Sequence, residues 1–190
     1  MTDRRPEEKI YLTYKTRMTT ESRLRFTGLI FHVILSWYSF CLIALSTLSI
    51  SGLYDAAGIG IVSVTCSVGV FGLSIYTYGE RYSERADQFK SCYLELQRLY
   101  ESEGTTSQKM TQYADILSRY PNQSNDDYDN MLVNAKVRGQ ELSNADGPTS
   151  ATGYMVNKIL LFRFLKFALI TLIIFAPILL GANWLHPVSK

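Results

Sequence analysis

Few residues of this chain have the type and spacing that catalysis or metal binding needs. The 190-residue sequence has two histidines, His32 and His186, and neither has a Cys, Asp or Glu at a metal-ligand spacing. It contains no G-x-S-x-G, P-loop, H-E-x-x-H or dinucleotide-binding fingerprint. We therefore expect no enzyme activity, no cofactor and no metal site.

Two groups of carboxylates come closest to acid–base or cation chemistry. The three carboxylates between Glu80 and Asp87 alternate with basic residues, which is typical of a solvated helix face. Asp126, Asp127 and Asp129 lack the glycine and the distal glutamate of an EF-hand loop. Short polar side chains of this kind are typical of helix starts, so we interpret both groups as structural.

The remaining polar chemistry lies in uncharged, apolar segments. His32 would either protonate and gate a path or face a neighbouring helix. In segment 57–78, small and hydroxyl residues recur at intervals of four, which lets helices approach closely. This face would either pack against the first apolar segment or contact the same face of other copies and become exposed to water. The candidate pore or packing face is Ser63, Thr65, Ser67, Gly69 and Ser74. The polar stretch Ser46–Ser51 is the next candidate for a pore lining.

Three stretches without Asp, Glu, Lys or Arg must position these residues. They are Thr27–Ile50, Ala57–Tyr78 and Phe167–Leu185, and about 20 apolar residues suffice for a helix to cross a bilayer. The polar turn Ser51–Asp55 joins the first two into a hairpin. The sequence therefore predicts an all-α membrane protein with an N-terminal transmembrane hairpin, a cytoplasmic helical region and a third transmembrane helix. Pro177 leaves open whether the third segment spans the bilayer or re-enters it.

The basic residues predict the orientation. With the N-terminus inside, 18 of the 19 Lys and Arg residues fall on the cytoplasmic side, where such residues collect, and only Lys190 falls outside. We expect four regions in the chain of an inner-membrane protein: a basic amphipathic segment 1–26, the hairpin 27–79, a cytoplasmic helical region 80–158 with a flexible linker 143–153, and a C-terminal span with a short tail, 159–190.

A periodic helix follows the second span. Apolar residues step by four and three from Tyr82 to Tyr100, which is the spacing of a helix-packing seam. Gly79 is the only helix breaker before it, so we expect this helix to continue from the second span. The candidate oligomer seam is Tyr82, Phe89, Tyr93, Leu96 and Tyr100.

Two shorter helices complete the cytoplasmic region. Thr105 and Gln108 fit a capping box for a helix over about Ser107–Tyr120, which Pro121 ends. A further helix is predicted over about Asp127–Leu142.

These elements, in this order, resemble the SLATT family, the SMODS- and SLOG-associating two-transmembrane effector domains, and most of all its fifth subtype. A YLTYKTR segment precedes two linked spans, followed by FKSCYLELQRLY, Tyr-Pro-Asn and Asp-Asp-Tyr. A histidine often follows Tyr-Pro-Asn in the family, where this chain has Gln123. The residues that carry the resemblance are Tyr11, Leu12, Thr13, Arg17, Phe89, Cys92, Tyr93, Leu96, Leu99, Tyr120, Pro121, Asn122, Asp127 and Tyr128.

The resemblance implies a role in prokaryotic conflict systems. Members of this family are regarded as effectors that damage the host membrane when a partner senses infection. Reverse-transcriptase-like or nucleotide-signalling sensor proteins are the partners it implies, and we expect no direct binding of nucleic acid. We therefore expect a self-assembling pore or membrane-disrupting effector. The alternatives are a non-permeating anchor or scaffold that recruits a cytoplasmic partner and, on the weakest grounds, a membrane enzyme.

Overall fold

The computed structural model describes residues 5–50, 56–140, 142–144 and 147–184. The predicted turn at 51–55 and the tail with His186 and Lys190 lie outside the described residues. The predicted helical membrane protein is confirmed, with one short hairpin added. The elements are α1 (Arg5–Ile50), α2 (Ala56–Glu80), α3 (Tyr82–Glu101), α4 (Thr106–Arg119), α5 (Asn125–Val137), β1 (Leu142–Asn144), β2 (Gly147–Thr149) and α6 (Gly153–Trp184).

The chain divides into two compact units. The first, called the polar unit here, comprises Met1–Phe26 and Tyr82–Phe162, and the second, the membrane unit, comprises Thr27–Arg81 and Arg163–Lys190. The long helices α1 and α6 each contribute residues to both units.

The polar unit has three apolar clusters, and α1 contributes one buried residue to each. Leu12 packs with α5, the β-hairpin and the start of α6. Ile10 packs with α3 and α4, and Leu24 packs with the beginning of α3. Burying one aliphatic side chain stabilises a fold by about 1.5–3 kcal/mol. The amphipathic N-terminal part of α1 contributes such a side chain to all three clusters, so it is the central helix of this unit.

The predicted continuity of the second span with the next helix is wrong. Arg81 separates α2 from α3 and has a φ of 48°, in the left-handed region. That conformation costs a residue with a side chain about 1–2 kcal/mol relative to right-handed helix. Gly79, the helix breaker that the sequence offers, lies inside α2, so the helix is interrupted two residues later than the glycine.

The predicted capping box of α4 is confirmed. The Thr105 hydroxyl accepts a hydrogen bond from the Gln108 backbone N–H, and the Gln108 side chain accepts one from the Thr105 backbone N–H. At the next helix, Ser124 is the N-cap and accepts from the Asp126 backbone N–H. The cap of α5 is thus a serine, and Asp126 and Asp127 occupy its first turn.

Within the segment predicted as a flexible linker, 143–153, the described residues include two short strands and a buried alanine. Leu142–Asn144 and Gly147–Thr149 pair as an antiparallel hairpin. Leu142 and Ala151 are buried in the same cluster as Leu12, and Lys136 Nζ donates to the Ala151 carbonyl oxygen at 2.5 Å. The small and polar composition of this stretch suggested a loop, but two apolar side chains fix it to the core.

The membrane unit holds the outer part of α1, α2 and most of α6. Three helices are long and apolar enough to cross a bilayer. In the apolar stretch of each helix, at most 6% of the residues are buried within the protein. The helix α6 passes through Pro177 without a break. The membrane unit therefore exposes most of its apolar side chains, as a protein surrounded by lipid does.

The carbonyls around Pro177 have side-chain donors from α1. Proline lacks an N–H, so the carbonyl of Ile173, four residues earlier, loses its helical partner. The Tyr38 hydroxyl donates to that carbonyl oxygen at 2.8 Å. Trp37 Nε1 donates to the Ile174 carbonyl oxygen at 2.9 Å. The proline is thus accommodated in a continuous helix because α1 supplies a donor to the carbonyl that lost its helical partner.

Candidate functional site

The family-type motifs of the sequence meet at one arginine of the polar unit. Arg17 of α1 is fully buried. Its Nη1 donates to the Pro121 carbonyl oxygen at 3.1 Å, and its guanidinium lies 5.9 Å from the centre of the Phe89 ring. The YLTYKTR segment, α3 and the Tyr-Pro-Asn element, separated by up to 104 positions, are therefore neighbours in space.

The guanidinium of Arg17 has fewer hydrogen-bond and ion-pair partners among the described residues than it could use. Among the described residues, its Nε and Nη2 atoms have no oxygen or nitrogen partner, although Arg17 lies beside the Cys92 thiol, and the buried Oε1 of Gln123 also lacks a partner. Within the described residues, no carboxylate lies at ion-pair distance from Arg17. A buried donor without a partner costs about 1–3 kcal/mol, so this position contributes less to stability than its burial suggests.

Cys92 lies beside Arg17 and is fully buried. Burial raises the pKa of the Cys92 thiol, and the nearby Arg17 opposes that rise only in part. Nucleophilic chemistry needs the thiolate, so Cys92 is placed as a core residue. It belongs to the cluster of Ile10, Leu96 and Leu99.

Another arginine of α1, Arg23, pairs with a fully buried carboxylate. Its Nε and Nη2 donate to the two carboxylate oxygens of Asp127 at 2.6 and 3.0 Å. The Asp127 side chain has no exposed surface, whereas that of Arg23 is 47% exposed. The predicted helix-start aspartate therefore also ties α5 to α1. The sequence analysis did not predict this pairing.

The remaining motif residues hold helices together. The Tyr120 hydroxyl donates to Glu95 Oε1 at 2.6 Å, and this hydrogen bond raises the pKa of Tyr120. Arg119 Nη2 donates to the other oxygen of Glu95 at 3.0 Å. Tyr128 packs on the cluster of Leu12, and Asn122 is exposed.

A group of tyrosines lies at the N-terminal end of α1. The Tyr11 ring lies 5.1 Å from that of Tyr14 and 5.7 Å from that of Tyr100. Lys15 Nζ lies 5.6 Å from the centres of the Tyr11 and Tyr14 rings. Burial, and then the neighbouring Tyr11, raise the pKa of Tyr14 to about 12.

The predicted oligomer seam on α3 is largely occupied within the chain. Phe89 and Leu96 are buried in contact with residues of α1. Tyr82 is partly buried against Leu24, and Tyr93 is half-buried. Tyr100 alone among the five is exposed. These side chains stabilise the polar unit itself, so they do not form a free surface for another copy.

The hydroxyl residues of α2 do not share one environment. The Ser63 Oγ is buried without a partner, and Ser74 is half-buried and donates to the Val70 carbonyl oxygen. Ser67 and Thr65 are exposed and donate to carbonyl oxygens of α2 at 2.8 and 2.9 Å. The helical wheel places Ser63, Ser67 and Ser74 on one side, but that side turns partly inward.

The glycines of α2 have open space around them. A Cβ atom built at Gly60, Gly69 or Gly72 would meet nothing within 4 Å. The small residues therefore do not serve close packing at these positions within the chain.

His32 is exposed on α1 in the membrane unit. It lines a shallow groove with Val33, Ser36, Trp37 and Phe40, all from α1 itself. Within the described part of the chain, no three His, Cys, Asp or Glu side chains converge as a metal site would require.

Three outward-facing apolar helices and a polar helical unit with its own clusters define a helical membrane protein. Residues 2–182 match the family model of SMODS and SLOG-associating 2TM effector domain family 5. Because the match covers nearly the whole chain, the protein belongs to this SLATT family of two-transmembrane effector domains, and the resemblance in its motifs is confirmed. No curated protein and no solved structure matches the chain. The family description names two spans, and this chain has a third helix of spanning length.

Proposed function

We propose that this protein is the membrane-damaging effector of a prokaryotic anti-phage or conflict system. Copies of the chain assemble in the inner membrane and make it permeable to ions after a partner protein triggers them. The family description supports the role of effector, and the three apolar helices support its location in a membrane.

One observation carries the proposal: polar side chains lie on the outside of apolar helices. His32 and Ser36 of α1 are exposed, as are Thr65 and Ser67 of α2. Thr65 and Ser67 donate to carbonyls of their own helix, but hydrocarbon offers the imidazole of His32 no hydrogen-bond partner, whereas water or another protein surface does. Polar groups facing outward in a bilayer are typical of helices that line an aqueous path or contact another helix.

The charge distribution supports a cytoplasmic polar unit. With the N-terminus inside, 18 of 19 basic residues lie in the cytoplasm. A triggering partner, either reverse-transcriptase-like or a nucleotide-signalling sensor protein, would reach the polar unit there. The chain itself acts without a cofactor and without direct contact with nucleic acid in this proposal.

Ion leakage from liposomes tests the proposal. The purified full chain, reconstituted at increasing protein-to-lipid ratios, should release a trapped ion at a rate that grows faster than linearly with density. Cross-linking of the same samples should show oligomers where leakage occurs. Inserted, cross-linkable protein that leaves the vesicles tight at every density would reject permeation.

The packed polar unit favours a second candidate, a non-permeating anchor or scaffold. This unit has three apolar clusters of its own and ion pairs between its helices, so it can present a fixed surface to a cytoplasmic partner. This alternative would be favoured if the vesicles do not leak ions and the polar unit binds a partner protein.

A further inference from the structure

Polar residues form a stripe along the outward face of α1 in the membrane unit. On a helical wheel at about 100° per residue, one sector of about 100° contains seven residues of the segment 32–50. Five of these are polar, and all five are exposed. The other two are Ile43 and Ile50. We call the polar set the α1 stripe: His32, Ser36, Ser39, Ser46 and Thr47.

The α1 stripe faces away from the other helices of the unit. Trp37 and Tyr38 hydrogen-bond to α6, and on the wheel they lie about 140° and 240° from His32. Phe31 contacts Tyr76 of α2 with ring centres 6.4 Å apart, and it lies about 260° from His32. Both neighbours therefore lie on the opposite side of α1 from the stripe.

The outward face of α2 includes a bulky apolar sector beside the exposed Thr65 and Ser67. A sector of about 80° on the wheel contains five bulky residues of the segment 61–75, and each is more than half exposed. This face suits lipid, whereas the hydroxyls of Ser63 and Ser74 turn inward. The apolar residues are Ile61, Val64, Val68, Phe71 and Ile75.

We propose that the α1 stripe, rather than the serine face of α2, lines the aqueous path when copies of the chain assemble. This inference rests on the proposed function and names the lining. Ser39 and Thr47 already donate to carbonyl oxygens one turn earlier, so their lone pairs remain as acceptors. The imidazole of His32 and the hydroxyl of Ser36 can both donate and accept.

A second copy of this chain is the occupant that the chemistry favours. The stripe contains no Asp, Glu, Lys or Arg, so equivalent faces meet without repulsion between formal charges. His32 and Ser36 can donate to and accept from water or the same group of a neighbour, and Ser39 and Thr47 can accept. A charged partner would instead require complementary charge, which the stripe does not offer.

Thiol labelling of the assembled protein tests the lining. In a background with Cys41, Cys66 and Cys92 replaced by Ala, Ser36→Cys and Ser39→Cys are compared with Ser67→Cys and the matched lipid-face control Val68→Cys. The full chain in liposomes receives a charged, membrane-impermeant thiosulfonate reagent while ion leakage is recorded. We expect labelling at the two α1 positions only under leaking conditions, together with a fall in leakage.

The outcomes separate the lining from the proposed function. Leakage with labelling of Ser67→Cys and none on α1 would overturn the stripe and leave the effector function standing. Leakage without labelling at any stripe position would also overturn it. Vesicles that stay tight at every density would reject permeation, and the lining with it.

A second pair of variants tests the same face by its polarity. The triple variant Ser36→Leu, Ser39→Leu and Ser46→Leu should insert normally and lower leakage about tenfold or more, because an apolar constriction expels water. The control triple Val64→Leu, Val68→Leu and Ile75→Leu on the outward face of α2 should leak normally. Equal leakage from both triples would contradict the inference.

Discussion

The polar unit and the membrane unit satisfy their polar groups in different ways. In the polar unit, side chains far apart in sequence bond to each other, as Arg23 does to Asp127 and Lys109 to Glu7. In the membrane unit, hydroxyls such as Thr47 and Thr65 bond to carbonyls of their own helix, and Trp37 and Tyr38 bond to the backbone of α6. The first pattern fixes one arrangement of helices, whereas hydroxyl bonds within one helix persist when its neighbours change. The polar unit is thus fixed by contacts between its helices, whereas many hydroxyls of the membrane unit depend only on their own helix.

The largest expected effect comes from the buried ion pair. Arg23→Ala leaves the fully buried Asp127 carboxylate without its partner, so we expect a loss of about 3–5 kcal/mol in the free energy of unfolding. Thermal unfolding in detergent, followed by circular dichroism, measures it. The double variant Arg23→Ala, Asp127→Ala should lose less than Arg23→Ala alone, because no charge then remains buried.

The matched control for this prediction is Arg25, two residues further along α1. It pairs with Glu21 and Asp87 at the surface, where ion pairs contribute little. Arg25→Ala should leave the unfolding midpoint nearly unchanged. Equal losses for Arg23→Ala and Arg25→Ala would remove the distinction between fixed and incidental pairs in the polar unit.

A second prediction concerns the incompletely matched Arg17. Arg17→Met keeps the packing against Phe89 and removes two buried N–H groups that have no oxygen or nitrogen partner among the described residues. Replacing a buried charge with an apolar residue of similar volume is often neutral or stabilising by about 1–4 kcal/mol. We expect the unfolding midpoint to stay level or rise. A loss as large as that of Arg23→Ala would show that Arg17 is fully paired in the folded protein.

The third prediction tests the hydrogen bond from Tyr38 of α1 to the carbonyl that Pro177 leaves without a helical donor. Tyr38→Phe removes the donor to the Ile173 carbonyl, and we expect a loss of about 1 kcal/mol in stability. Pro177→Ala restores the backbone donor. In that background Tyr38→Phe should cost almost nothing, and equal costs in both backgrounds would contradict the pairing.

The smallest expected effect is a pH dependence in the polar unit. The pKa of Tyr14 is raised to about 12 from the ordinary 10. Between these values the unfolded chain loses its proton first, so stability is complete below pH 10 and falls as the pH rises towards 12. The unfolding midpoint should fall over this window. Tyr14→Phe should reduce the fall, and an identical pH profile for the variant would contradict the assignment.

Local features could be predicted from the sequence, and tertiary pairings could not. The capping box of Thr105 and Gln108 depends on four consecutive residues, so its prediction was confirmed. Arg23 and Asp127 lie 104 positions apart, and no spacing rule connects them. Pro177 was a usable signal, since an orphaned carbonyl requires a donor, but the sequence does not say that Tyr38 supplies it.

The polar face of α2 shows a second limit of prediction from the sequence. A helical wheel correctly groups Ser63, Ser67 and Ser74, but it cannot tell which side of a helix is covered by neighbours. That choice depends on where α1 and α6 lie, and the burial of Ser63 Oγ records it. The proposed shift of the pore lining from α2 to α1 follows from this information.

The bonds from Trp37 and Tyr38 to α6 have a mechanical consequence. Separating the two helices within a bilayer would leave the Ile173 carbonyl without a donor and the Trp37 N–H without its acceptor, at several kcal/mol for each unsatisfied group in hydrocarbon. We therefore expect α1 and α6 to move together as one pair of helices. One face of this pair is the apolar surface of α6, and the other is the hydroxyl-bearing surface of α1. In the proposed assembly, such a pair would turn the α1 stripe toward the centre and the exposed apolar side chains of α6 toward lipid.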